Sequence, residues 1–80
     1  MKIQLIHGQF NAQDSLELVS KMIAVKIKFH ENRITNFCTE EDIKMRESKI
    51  KHLQKDLYEA QKFISSAQFL NLESEISLIN

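Results

Sequence analysis

Two residues able to do chemistry, His30 and Arg46, interrupt otherwise apolar helical patterns in this sequence. A guanidinium offers paired N–H donors to a carboxylate or phosphate, so the two residues together suit an anion-binding pocket between helices. The plainer reading of the same pair is a polar layer that fixes register, or an arginine whose stem packs while its head reaches water, Glu31 or Glu47. Other reactive types are sparse. His7, His30 and His52 fall on three different elements, with neither an i, i+4 histidine pair nor the Cys/His spacing of a zinc site, so no metal is expected. His52 points away from the apolar seam of its own segment and is expected in solvent.

The sole cysteine, Cys38, has no partner for an internal disulfide, which fits a reducing compartment. It reads as a small apolar residue at a loop–helix junction rather than as a reactive thiol. A Cys38–His30 pair would also need an orienting group and an oxyanion site, and the sequence signals neither. With one glycine in the chain, the P-loop and dinucleotide fingerprints are impossible. No catalytic residue and no cofactor is expected, and the chain is not expected to be an enzyme.

Eleven basic residues balance eleven acidic ones, which argues against a dedicated nucleic-acid binder. The best local case for one is Lys44, Lys51 and Lys55, which share a helix face. That face lacks aromatic residues for base stacking, and a solvated charged face is its usual meaning. The apolar start of the chain is too short for a signal-peptide core, and no apolar run approaches the ~20 residues of a membrane span. The expected setting is cytoplasmic, with no membrane contact.

These residues must be positioned by few elements. Ile43, Arg46, Ile50, Leu53, Leu57, Ala60, Ile64 and Ala67 recur at alternating spacings of three and four, the pattern of one buried, coiled-coil-like helical seam within Thr39–Ala67. Thr39 followed by Glu40, Glu41 and Asp42 is a strong helix start, with Cys38 and Ile43 placed for a hydrophobic staple. Asn11, with Asp14 three residues on, starts an earlier helix running to about Ile34. Its apolar residues form two stripes. Leu16, Val19, Ile23, Ile27, His30 and Ile34 make one; Leu18, Met22, Val25 and Phe29 make the other, displaced by roughly a third of a turn. Two stripes predict two packing partners.

Lys2–His7 alternates imperfectly, with Ile3 and Leu5 on one side, and reads as a short strand that Gly8 ends. Phe10 is then free to pack back on the first helix. Leu70, Leu72, Ile76 and Leu78 alternate with polar residues, so Leu72–Ile79 reads as a second strand; a prolonged second helix is the alternative. The fold class expected is α+β, predominantly α: a single domain over residues 1–80, a long antiparallel helical hairpin flanked by short N- and C-terminal strands. Because two strands are marginal alone and the first helix has a spare apolar stripe, a dimeric four-helix arrangement is expected.

The run from Lys2 to Gly8, the segment Val25–His30, then Glu41-Asp42 and the basic start of the second helix together resemble small uncharacterised bacterial strand-helix-helix-strand proteins. The resemblance implies the order of elements and brings no activity with it. The function expected is a small intracellular homodimeric structural or protein-interaction module, associating through Leu18, Met22, Val25 and Phe29, with a further protein partner left open. The alternatives are a binding module or small enzyme for an anionic small molecule at His30 and Arg46, and accessory nucleic-acid binding by the basic face.

Overall fold

The computed structural model describes all residues, Met1–Asn80. The chain runs β1 (Lys2–Asn11), α1 (Ala12–Asn32), α2 (Glu40–Ser65) and β2 (Phe69–Ser77), with β1 and β2 paired antiparallel. The expected β-α-α-β order therefore holds, and the two helices form a hairpin. The alternative in which α2 continues through the C-terminal segment does not hold.

Each helix begins where a side chain accepts an otherwise free backbone N–H. Asn11 Oδ1 accepts from Asp14 N at 2.7 Å, and Thr39 Oγ1 accepts from Asp42 N at 3.1 Å. Asp14 and the trio Glu40, Glu41 and Asp42 lie in the first turns, where carboxylates meet the positive end of the helix dipole. α1 stops at Asn32, two residues short of Ile34. Its last turn tightens as Arg33 N donates to His30 O and Ile34 N to Glu31 O. At the end of α2 the Ser65 and Ser66 hydroxyls donate to the carbonyls of Lys62 and Phe63, satisfying groups that a helix leaves open.

The strands are longer than expected, and the structure corrects both the faces of β1 and the limits of each strand. Gly8 does not end the strand; it pairs with Leu72 in the middle of the ladder at φ +144, a conformation that side-chain-bearing residues rarely adopt. The chain therefore stays extended to Asn11, and Phe10 lies opposite Leu70 rather than being free of the sheet. The register also slips between Gln4 and Ile6, leaving Leu5 as the extra residue of a β-bulge. That slip changes the face assignment: Ile3 falls in line with Ile6, Gly8 and Phe10, while Leu5 is half exposed. β2 starts at Phe69 and ends at Ser77, earlier at both ends than Leu72–Ile79, because Phe69 and Leu70 already pair with Asn11 and Phe10. Ala12 N donates to Gln68 O at 3.0 Å, lacing the first turn of α1 to the segment that enters β2.

The predicted seam residues are half-buried or buried where the two helices meet, from Ile43 to Ile64 on α2 and from Leu16 to His30 on α1, with Ile34 and Ala67 half-buried just beyond the helix ends. Both strands approach α1, and neither packs broadly on α2. The result is thin: its extents are 45 × 32 × 13 Å, and its radius of gyration is 15.2 Å, where a compact chain of this length has about 12 Å. Only Ile64, Ser15 and His30 are buried. No helix is long and apolar enough to cross a membrane.

Candidate functional site: a polar layer between the helices

One of the two polar intruders is among the three buried residues. His30, four residues after Lys26 on the inner stripe of α1, keeps 5% of its surface exposed. Arg46 approaches it from α2, with Nη1 at 2.9 Å from His30 Nδ1. A guanidinium has no acceptor to offer, so Arg46 donates and Nδ1 accepts; the proton of a neutral ring then sits on Nε2. Arg46 is not ion-paired with Glu31 or Glu47, the partners considered for its head group. Phe29 completes the layer: its ring meets His30 edge-on with centroids 5.5 Å apart, and the Arg33 guanidinium lies 4.7 Å from its centroid.

The environment disfavours the charged form of His30. Burial pushes the imidazole below its ordinary value, and the positive charges of Arg46, Lys49 and Lys26 push it further the same way. Its Nε2 atom, shielded from water, has no hydrogen-bond partner. The ring forms part of the wall of an open cleft of about 290 Å³ between the helices, together with Lys26, Lys49, His52, Leu53 and Asp56. His52, expected simply in solvent, is exposed yet stands on this rim.

A second cleft, about 250 Å³ and apolar, lies between α1 and the sheet and is lined mainly by Ile6, Val19, Met22, Ile23 and Leu72. Met22 joins it to the outer stripe of α1. On that stripe Leu18 is half-buried, Met22 is 38% exposed, Phe29 48% and Val25 71%, so the chain itself leaves it largely uncovered.

Cys38 is a tie in the hairpin loop. Its Sγ donates to Arg33 O at 3.1 Å and accepts from Thr35 N at 3.4 Å. Hydrogen bonding from the Thr35 hydroxyl and N–H lowers the thiol below its ordinary value. No hydrogen bond joins Cys38 to His30. Lys44, Lys51 and Lys55 are all exposed and form no ion pair. His7 lies at the sheet, 3.7 Å from Glu73 and far in sequence from the polar layer. No three His, Cys, Asp or Glu side chains come together in a metal-holding group.

No protein-family model matches the chain, and no curated protein or solved structure matches it closely enough to lend it a function.

Sequence reasoning missed three participants. Lys26 and Lys49 look like ordinary solvent-facing lysines until the helices are set side by side, when both line the cleft with His30. Ser15 gave no signal at all, yet it is fully buried with a hydroxyl that makes no hydrogen bond.

Proposed function

We propose that the chain is a small homodimeric structural or protein-interaction module, completed by a second copy that covers the outer stripe of α1. One observation carries this reading. The chain exposes 6671 Å², whereas a compact folded chain of 9.4 kDa exposes about 5,000 Å². The excess of about 1,700 Å² falls within the roughly 1,000–2,500 Å² that each subunit of an obligate homodimer hides.

The position of that excess supports the same partner. A helix with an uncovered apolar stripe needs a second layer, and a slab 13 Å thick does not supply one. Leu18, Met22, Val25 and Phe29 run along α1 into the apolar cleft beside the sheet, so one continuous surface is available for a two-fold contact. Two α1–α2 hairpins stacked through this surface give the four-helix arrangement. The reading assigns the protein no catalytic step.

Light scattering on the pure chain at micromolar concentration tests it. The expected mass is twice the 9.4 kDa of one chain. Replacing Met22 and Phe29 together by glutamate should yield a monomer or an unfolded chain, whereas a cooperatively folded wild-type monomer at that concentration would overturn the proposal.

A further inference from the structure

We propose that the interhelical cleft bounded by Lys26, His30, Lys49 and His52 binds a small oxyanion, a phosphate or carboxylate group, which accepts a hydrogen bond from His30 Nε2–H between the two lysine ammoniums. This does not depend on dimerisation.

The argument begins with the tautomer. Because Arg46 Nη1 donates to His30 Nδ1 at 2.9 Å, the ring carries its proton on Nε2, and that nitrogen is a donor. The donor is buried and unpaired. Buried donors are nearly always satisfied, and one that is not calls for an occupant with a free lone pair. His30 lines the cleft while Arg46, which occupies Nδ1, does not, so Nε2 is the one polar atom of the ring left for an occupant of the cleft. The atom is shielded from water and both flanking lysines are exposed, so a ligand reaches it through a rotamer change at their flexible stems.

The charges select the ligand. Lys26 and Lys49 stand in the wall, and Arg46 lies behind the ring. Asp56 is the only acid in the wall and is ion-paired to neither lysine, so the cations outnumber it. The hydrogen bond from Arg46 requires an unprotonated Nδ1 and so a donor at Nε2, and burial with the same three cations disfavours the charged ring. An ammonium or guanidinium ligand would meet like charges and no free acceptor on His30; an oxyanion meets a donor and two counter-charges.

The test is a titration of the full chain with sodium phosphate, and in parallel with sodium acetate, against sodium chloride at matched ionic strength. It is followed by the ring-nitrogen resonances of the histidines at pH 8. The expected result is a saturable shift of His30 Nε2, with His52 moving and His7 still. The anion with the lower dissociation constant identifies the head group. The double variant Lys26→Gln, Lys49→Gln, altered only at exposed positions, should keep the fold and weaken binding at least tenfold, while Lys44→Gln with Lys51→Gln leaves it unchanged. A shift that only tracks ionic strength, or one equally strong in the Lys26/Lys49 variant, would overturn the proposal. So would a His30 Nε2 signal already hydrogen-bonded without added anion and indifferent to it, since a side chain of a second copy would then be the acceptor.

Discussion

His30 and Arg46, sixteen residues apart in sequence, meet through a 2.9 Å hydrogen bond that spans the seam between the two helices. Each resolves the other's difficulty. The arginine gives a buried ring nitrogen its donor, and the ring gives the arginine a fixed acceptor within an otherwise apolar helical seam.

That pairing fixes how stability should depend on pH. His30 is held below its ordinary value near 6.5 by burial and by Arg46, Lys49 and Lys26. Below that pH the unfolded chain binds a proton at this position that the folded chain resists, so stability rises with pH through the region and is lost as pH falls below about 6.5. His52 and Asp56 share the cleft, so the comparison must isolate His30. His30→Gln keeps an acceptor for Arg46 and removes the titration. Denaturant midpoints at pH 5 and pH 8 should differ less in His30→Gln than in the wild type; an equal difference would mean that His30 is not the group responsible.

Arg46→Leu should destabilise the chain, because it leaves Nδ1 buried without a donor. The double change Arg46→Leu, His30→Leu should recover most of the loss, since an apolar seam has no unmet polar group. Thermal melts of the four members of this cycle measure the coupling. Additive effects of the two single changes would show that the hydrogen bond carries no energetic weight.

Gly8→Ala isolates a backbone effect. An added Cβ would meet nothing nearer than Phe10 Cε2 at 4.0 Å, so sterics across the sheet are not at issue. The φ of +144 is. Destabilisation of about 1–3 kcal/mol is expected from the conformation alone. An 80-residue chain is accessible to chemical synthesis, and D-alanine at position 8, which favours positive φ, should restore most of the stability; failure to restore it would place the cause elsewhere.

Ser15→Ala should be neutral or should stabilise by up to about 1 kcal/mol, because it removes a buried hydroxyl that has no partner without opening a sizeable cavity. Urea denaturation reads this directly. A loss above that size would reveal a hydrogen bond to Ser15 in solution.

The two caps should behave independently. Asn11→Ala and Thr39→Ala each remove the acceptor of an early helix N–H and should cost about 1 kcal/mol. They begin different helices and are separated by the length of α1, roughly 30 Å, so their effects should add to within about 0.5 kcal/mol. Equilibrium unfolding of the double variant checks the sum.

The parts legible in the sequence were those set by local chemistry or by long periodicity. Asn11 and Thr39 announce helix starts because a cap depends on neighbours a few residues away, and the seam from Ile43 to Ala67 is long enough to leave no doubt about its face. Leu5 shows why the strand faces were misassigned: a one-residue bulge reverses every side chain beyond it, and nothing in the residue type marks where it falls. Gly8 was misread for a related reason, since the same freedom that ends a strand also allows an unusual φ inside one. His30 and Arg46 stood out because each is polar in an apolar stripe. Lys26, Lys49 and His52 did not, because a cleft between helices is defined by which residues come level across the pair.

The bulge at Leu5 also governs what the sheet can join. In a two-stranded sheet both strands are edges, each presenting unpaired backbone groups to any extended segment that passes. An incoming regular strand could follow β1 only as far as Leu5, where the spacing of donors and acceptors breaks, unless it carried a matching extra residue. One extra residue thus acts as a stop against edge-to-edge growth into fibres on the β1 side.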